Sequence, residues 1–471
     1  MIRPESLFLV FFIFRYNINM AKKNKLQLPP KYNWVDLSDS LYYDTLDKVL
    51  HTHKNLYING AGGVGKSVMI DLAYNLLDGN TMVLASTGIA AANLAEKHIP
   101  AVTIHRGLRI PPLAIFDSST AVDKEVISTL IKIDTIIIEE ISMVSASLFD
   151  HIVRIIRYAE RWRTREIRLF LFGDILQFAP VIGSEPTVLK YYQNKYDGNI
   201  YFFNSNEFVR RRIETINLER VYRQKSEDMQ DNLMRIRLNI PEDSTFDFFN
   251  SRVQPLAEFM KTHENCLVIT TTKKREQTLN EEYGIPDKNA PHRMFKAEIT
   301  GDFKRSELSV VEDETTIYVG QQVMCLCNDP DKKFQNGTLG KVKDIFEDSV
   351  IIVKSDGRQV AIGINRWDQY AYCYDEEKDV VEAKIVGSLK QIGCKPAFAV
   401  TFHKAQGMTL DSIYLDLQSW WMPKSGMYVG LSRCKTLEGI GMSRSITEKD
   451  ISVESEAIDF YIKNGENYES H

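Results

Sequence analysis

The octapeptide Gly60-Ala61-Gly62-Gly63-Val64-Gly65-Lys66-Ser67 fits the pattern G-x-x-x-x-G-K-[ST]. Glycines at this spacing let backbone N–H groups converge on phosphate oxygens, the lysine meets the terminal phosphates, and the serine hydroxyl can ligate Mg2+. The chemistry implied is binding and hydrolysis of a nucleoside triphosphate with Mg2+, held by Gly60, Gly62, Gly63, Val64, Gly65, Lys66 and Ser67. Such a site also needs an acid at the end of a neighbouring strand. The run Thr135-Ile136-Ile137-Ile138-Glu139-Glu140 offers two. Glu139 is expected to share the metal with Ser67, and Glu140 to orient or deprotonate the attacking water. Gln177, at the end of Phe172-Gly173-Asp174-Ile175-Leu176-Gln177, carries a neutral amide suited to sensing the γ-phosphate. Taken alone, the two glutamates read as a solvated helix start and Gln177 as part of a turn. The phosphate loop upstream is what makes them candidates.

These groups must be set in place by strands and helices. A short strand at 56–58 leads into the loop, and a helix begins near Lys66. Apolar runs at 82–84, 135–138 and 169–172 then alternate with helical stretches at 90–95 and 148–158. Strands alternating with helices imply a parallel sheet with crossover connections. A second such set begins at 266–269 and closes with 413–415 and a helix near 427–431. Between them, residues 304–390 have another texture: short strands at 310–311, 316–318, 323–324, 350–353 and 360–362, with turns at Asn336-Gly337 and Asp356-Gly357. That spacing predicts a small all-β unit inserted in the second α/β unit. Upstream of the loop, 33–52 predicts a loop and then an amphipathic helix with Leu41, Leu46, Val49 and Leu50 on one side.

The chain has 471 residues, 44% of them hydrophobic, and a net charge of −5. At roughly 150 residues per domain this is about three units, each able to bury a core. Disorder, collagen and a small disulfide scaffold are excluded. So is a strongly basic coat protein, though a local basic groove is not. The six cysteines show no paired C-x-x-C pattern, which points to a reducing compartment and no zinc site. Residues 7–14 form an apolar run flanked by Arg3 and Arg15, far short of the roughly 20 residues that span a bilayer. No membrane partner is expected. Met20 opens Met-Ala-Lys-Lys-Asn-Lys like a cytosolic start, which would leave 1–19 untranslated.

Further motifs follow in order: Ser86-Thr87-Gly88-Ile89-Ala90-Ala91, Thr103-Ile104-His105, Glu139-Glu140-Ile141-Ser142-Met143, and Gly173-Asp174 through Gln177 to Pro180-Val181. After these come Val221-Tyr222-Arg223-Gln224, Asn336-Gly337-Thr338-Leu339-Gly340, Thr401-Phe402-His403-Lys404-Ala405-Gln406-Gly407-Met408-Thr409 and Tyr428-Val429-Gly430-Leu431-Ser432-Arg433. In this order, over about 55–440, the chain resembles the superfamily 1B DNA helicases. It is most similar to the PIF (petite integration frequency) family, and more distantly to the phage Dda helicase.

The resemblance implies an α/β fold: two tandem RecA-like P-loop domains, parallel sheets flanked by helices, with a small β-rich SH3-like insertion in the second. The expected division is an N-terminal extension at 1–32, a first ATPase domain at 33–224 with a small wedge near 98–115, a second at 225–303 and 391–471, and the accessory domain at 304–390. ATP is expected between the two cores, with Arg223 and Arg433 reaching its phosphates. Thr87, Gly88, Thr103, His105, Asn336, Thr401, His403 and Lys404 match positions lining a single-stranded DNA path, with hydroxyls, amides and a lysine that hold a phosphate backbone without reading sequence. Gln406 and Gly407 match the place where DNA contact couples to the nucleotide cleft. Lys332 and Lys333 are further candidate contacts. The series Arg154, Arg157, Arg161, Arg163, Arg165 and Arg168 is interspersed with Glu160 and Glu166 and reads mainly as structural ion pairing.

Two departures stand out. The family's acidic pair usually begins with aspartate, where this chain has Glu139. No glutamine occurs at 41–54, where the family has one that reads adenine, so other nucleoside triphosphates are expected to be accepted. The activity implied is an intracellular, monomeric, ATP-dependent 5′-to-3′ helicase acting on single-stranded and tailed or forked duplex DNA in repair, recombination or replication. The rival readings are another P-loop NTPase, or a single-stranded nucleic-acid binding protein without strand separation.

Overall fold

The structure, a computed structural model, describes residues 28–465 apart from 112, 118–119, 264, 286, 304–310, 332, 335, 355, 376–379 and 420, with backbone only at 371–375 and 380–383. The apolar run at 7–14, Met20, Val310 and Lys332 lie outside the described residues. The chain divides into two compact units, one ending at His51 and the other starting at Thr52.

In the first unit, Asp39 accepts the Leu41 N–H at 3.0 Å and opens the helix Ser40–His51. Its buried residues are Tyr42, Thr45, Leu46 and Val49, one stripe at the i, i+3, i+4, i+7 spacing. Leu41 and Leu50, expected on that face, stand at its margin and are only half-buried.

The second unit contains a six-stranded parallel sheet in the order β3-β2-β4-β5-β1-β6. Its strands are β1 Leu56–Gly60, β2 Thr81–Ala85, β3 Ala101–Thr103, β4 Thr135–Glu139, β5 Arg168–Gly173 and β6 Glu214–Leu218. β1 and β4 are buried along their whole length, which is why they read as continuous apolar runs and not as alternating ones. The helices Lys66–Leu76 and Ala146–Glu160 are among its crossovers. A second, four-stranded parallel sheet has the order β17-β7-β18-β19, from β7 Leu267–Thr270, β17 Ala399–Thr401, β18 Ile413–Asp416 and β19 Ile440–Met442.

The chain between β7 and β17 is antiparallel. Seven strands run β16-β11-β12-β13-β14-β15-β9, and β10 Glu314–Tyr318 pairs with β8 His292–Lys296. The seven are β9 Glu298–Gly301, β11 Gln322–Cys325, β12 Leu339–Ile345, β13 Ser349–Lys354, β14 Gln359–Asp375, β15 Val380–Ile392 and β16 Cys394–Pro396. This sheet draws in β9 and β16, which fall outside 304–390, because Leu389 of β15 pairs with Ile299 and Cys325 of β11 with Cys394. Val311 lies in a bend rather than a strand.

Cys266, Cys325, Cys327, Cys394 and Cys434 are buried free thiols whose burial pushes each pKa up, and they pack as small hydrophobes. Among the described residues, no helix is long and apolar enough to cross a membrane, and no cluster of three potential metal ligands occurs. Four of the six arginines of the series are held internally: Arg157 by Glu207 at 3.0 Å, Arg163 by Asp134 at 2.8 Å, Arg168 by the Thr52 carbonyl at 3.1 Å, and Arg154 by backbone carbonyls, while Arg161 and Arg165 are exposed. Arg154 donates to the Asp117 and Thr120 carbonyls, and Glu160 is taken by Arg211 at 2.6 Å.

Candidate active site and nucleic-acid path

Parallel strands all end on one edge, and ligands of open α/β sheets bind beyond that edge. β1 ends in the phosphate loop, β2 in Ser86-Thr87, β3 in Thr103, β4 in Glu139-Glu140 and β5 in Gly173-Asp174. The sheet order therefore brings motifs far apart in sequence into one row.

Gly65 enters the helix Lys66–Leu76 at φ 91°, a left-handed conformation natural to glycine, which turns the loop from strand to helix in one step. Lys66 Nζ donates to the Gly60 carbonyl at 2.7 Å and to Ala61 at 3.0 Å, so the ammonium is folded over its own loop. Burial lowers its pKa against the opposing pull of Asp174, Glu140 and Glu139.

Glu140, just after β4, adopts φ 54°, ψ 45°. A left-handed non-glycine residue is strained by about 1–3 kcal/mol, and such strain persists where surroundings enforce it, often at functional sites. Burial first, and Glu140 second, push Glu139 up to about 8. Glu139 Oε2 and Gln177 Oε1 are buried and have no hydrogen-bond partner among the described residues. The other end of Gln177 donates to Asp174 at 3.1 Å.

Arg223 follows β6, whereas Arg433 follows the helix Gly426–Leu431 between β18 and β19. Both reach Gly62: a Cβ there would stand 2.9 Å from Arg223 Nη1 and 3.4 Å from Arg433 Nη2. Arg223 Nη1 donates to the Ser432 carbonyl at 3.1 Å, and Gln224 Nε2 to the Cys434 carbonyl at 2.8 Å. Arg433 is buried, held by the Val429 carbonyl at 2.8 Å and Ser432 Oγ at 2.7 Å. Burial, then repulsion from Arg223, draws its pKa down.

A methyl group at residue 62 must displace these guanidinium tips, which are flexible ends and yield cheaply. Gly62→Ala is expected to unfold within a degree or two of wild type while ATP turnover drops by about tenfold or more, the loss of roughly 1.4 kcal/mol of transition-state contact. Thermal melts paired with steady-state kinetics test this, and an unchanged kcat would show that close approach at Gly62 is unimportant.

On the candidate DNA path, Thr87 accepts the Ala90 N–H at 3.2 Å and caps the helix Gly88–Ala95, Thr103 accepts the Arg106 N–H at 3.3 Å, and His105 Nδ1 lies 3.2 Å from the Ile110 carbonyl. Thr401 ends β17, and its side chain makes no cap bond to the helix Phe402–Ala405. His403 stacks on Phe178, with centroids 4.1 Å apart and an interplanar angle of 17°. Lys404 Nζ is bound by Glu276 at 2.6 Å, and Lys333 by Asp331 at 2.9 Å. Gln406 Nε2 is buried without a partner among the described residues, and the adjoining Met408 carbonyl accepts from Arg433 Nη1 at 3.2 Å. That bond ties the 401–409 segment to the nucleotide side.

Asn336 Nδ2 donates to Asn93 Oδ1 at 2.9 Å, and Asn328 Nδ2 to Glu96 Oε2 at 2.5 Å, so the β-rich insertion meets the end of the helix Gly88–Ala95. Burial raises Glu96 to about 7, against the pull of Asn328 and Lys97. A carboxyl with its folded pKa above the unfolded value favours folding while protonated, so its stabilisation fades as pH rises between about 4.5 and 7. Glu96→Gln is expected to melt with wild type at pH 4 to 5 and above it at pH 8; equal melting at both pH values would refute the assignment.

Three groups were not legible as functional in the sequence. Asp174 and Arg237 form an ion pair at 2.8 Å with both side chains 1% exposed. Tyr428, also buried, accepts the Gly62 N–H at 3.2 Å and donates to Asp174 Oδ2 at 3.4 Å. Asp174 and Tyr428 lie inside motifs that gave them no role of their own, and the signal for Arg237 is a charge next to the apolar stripe Met229, Leu233 and Ile236 of its helix.

The fold and site define a P-loop nucleotide hydrolase with two RecA-like parallel sheets and an antiparallel β-rich insertion. A family model described as PIF1-like helicase matches residues 39–238. The ATP-dependent DNA helicase Pif1 of Campylobacter jejuni is 25% identical over 423 residues, covering 83% of this chain and 89% of that protein. The human ATP-dependent DNA helicase PIF1 is 26% identical over 418 residues, covering 82% of this chain and 58% of that protein. Pif1 from Bacteroides sp in complex with ADP-AlF4 superposes with a TM-score of 0.81 at 25% identity, covering 91% of this chain and 97% of that one. The Bacteroides helicase in complex with ADP-AlF3 and ssDNA superposes with a TM-score of 0.64, covering 92% and 98%. The chain is thus similar to PIF1-like helicases in sequence over 39–238 and in fold over most of its length.

Proposed function

We propose that this protein is an ATP-dependent DNA helicase that moves 5′ to 3′ on single-stranded DNA and opens tailed or forked duplexes. The observation that carries the reading is the convergence of Arg223 and Arg433, attached to different parallel sheets, on Gly62 of the phosphate loop. A site completed from two cores turns over only when they close, which lets hydrolysis drive relative motion. We take 33–224 as the first core with its wedge near 98–115, 225–303 with 391–471 as the second, and 304–390 as the accessory unit, whose sheet is completed by β9 and β16 from the flanking chain. Repair, recombination or replication is the setting such an activity serves.

ATP enters by replacing the Gly60 and Ala61 carbonyls as partners of Lys66. Ser67 and Glu139 would hold Mg2+, and the unpartnered buried oxygen of Glu139 suits a hydrated cation's shell. The cation, when bound, would neutralise phosphate charge. Glu140 orients the water that attacks the γ-phosphorus and takes its proton; ADP leaves, and the two guanidinium groups offset the charge that develops. Gln177 senses the γ-phosphate, and Gln406 and Gly407, beside the Met408 carbonyl bound to Arg433, couple the cleft to Thr401, His403 and Lys404. Thr87, Gly88, Thr103, His105 and Asn336 hold the strand on the first core and the insertion. Lys404 exchanges Glu276 for a phosphate when DNA is bound.

The test is steady-state ATP hydrolysis with and without single-stranded DNA, followed by unwinding of duplexes tailed at one end. Strong stimulation and opening of the 5′-tailed substrate alone are expected. Hydrolysis indifferent to DNA would make the protein another P-loop NTPase, and DNA binding without hydrolysis would make it a binder.

A further inference from the structure

The Tyr428 hydroxyl stands on an N–H that the phosphate loop needs. It accepts from Gly62 at 3.2 Å and donates to Asp174 Oδ2 at 3.4 Å, bridging the ends of β1 and β5 from a helix that belongs with the second parallel sheet. A phosphate oxygen brought to Gly62 would have to share this one amide hydrogen with the phenol oxygen, so nucleotide and Tyr428 compete for it. The helix carrying Tyr428 is also locked to the candidate DNA segment. Gly430 packs so closely on Phe402 that a Cβ would lie 2.4 Å from its ring, and Phe402 sits between Thr401 and His403. Five residues beyond Tyr428, Arg433 is bound to the Met408 carbonyl of that segment. A shift of residues 401–408 therefore moves Tyr428 and Arg433 together.

We propose that Tyr428 is a positioning residue that gates the phosphate loop: its hydroxyl holds the Gly62 N–H until engagement of single-stranded DNA along residues 401–404 draws it away. Part of the DNA stimulation of ATP turnover is then release of this hydroxyl. The inference rests on the helicase reading, but its first test does not need unwinding.

Tyr428→Phe keeps the packed ring and removes the oxygen. Without DNA, a fluorescent adenosine diphosphate should bind this variant about 3- to 10-fold more tightly than wild type, the worth of one hydrogen bond removed from competition. KM for ATP without DNA should fall by a like factor, while kcat with saturating single-stranded DNA stays within about twofold, well under the worth of one such bond. A merely structural tyrosine would lower stability and leave that KM-against-kcat split unmoved. Affinity that is unchanged or weaker overturns the proposal. A second measurement uses the wild type: hydrogen exchange of the peptide containing Gly62 should quicken when single-stranded DNA is added without nucleotide, and unchanged exchange also overturns it. Wild type that binds nucleotide but ignores DNA would instead sink the helicase reading, leaving the DNA-free affinity of Tyr428→Phe as the test of the contact itself.

Discussion

Replacing Arg433 by alanine is expected to reduce DNA-stimulated ATP turnover by roughly 10³-fold or more, the scale on which arginine fingers act in related hydrolases. Its guanidinium reaches the phosphate loop from the second core, 3.4 Å from a Cβ built on Gly62. It is pre-aimed by the Val429 carbonyl, the Met408 carbonyl and Ser432 Oγ, at 2.8, 3.2 and 2.7 Å. Repulsion from Arg223 is relieved when a triphosphate lies between the two. The loss should fall on kcat, with nucleotide affinity changed only a few-fold, because the contact strengthens as charge develops. Arg433→Lys keeps a charge but not the planar fork, so it is expected to recover only part of the rate. A kcat reduced by less than tenfold in the alanine variant would remove Arg433 from the chemistry.

The second large effect is on stability. Arg237→Ala leaves Asp174 buried without its cation, an arrangement that typically costs about 3–5 kcal/mol. In the intact protein, burial raises the Asp174 pKa, but Arg237 and Lys66 outweigh it and hold the carboxyl below its ordinary value. Its contribution is therefore present above the unfolded pKa of 3.8 and is lost as pH falls through the lower folded value. Without Arg237, burial dominates and the carboxyl prefers its proton. The deficit of the variant should accordingly be largest at neutral pH and shrink toward pH 4, measured by denaturant unfolding across that range. Arg237→Met combined with Asp174→Asn should recover much of the loss, since it removes the stranded charge. A deficit independent of pH would mean that Arg237 acts by packing alone.

Much of the fold was legible because its causes are local. The strand–loop–helix at 56–76 follows from an apolar run, glycines that permit a left-handed turn, and helix-forming residues after Lys66. β4 was visible because a strand buried on both faces must be apolar throughout. The inserted β unit was legible in texture, but its edges were not: β9 and β16 join the sheet through pairings with β15 and β11, which periodicity does not encode.

What sequence alone determined is thus the inventory: a phosphate loop, two carboxylates at a strand end, two arginines, a glutamine, and an ordered motif series matching one helicase family. Only the tertiary structure decided which of these meet. The Gly62 N–H finds Tyr428 across 366 residues of chain, and Asp174 finds Arg237 across 63. Lys404, a free cation on paper, is held by Glu276. The physical reason is that residue type and spacing fix conformation over a few turns or a strand. Contacts between sheets depend on crossover order and on how closely glycines such as Gly62 and Gly430 let distant side chains approach, and one-dimensional patterns carry almost no trace of either.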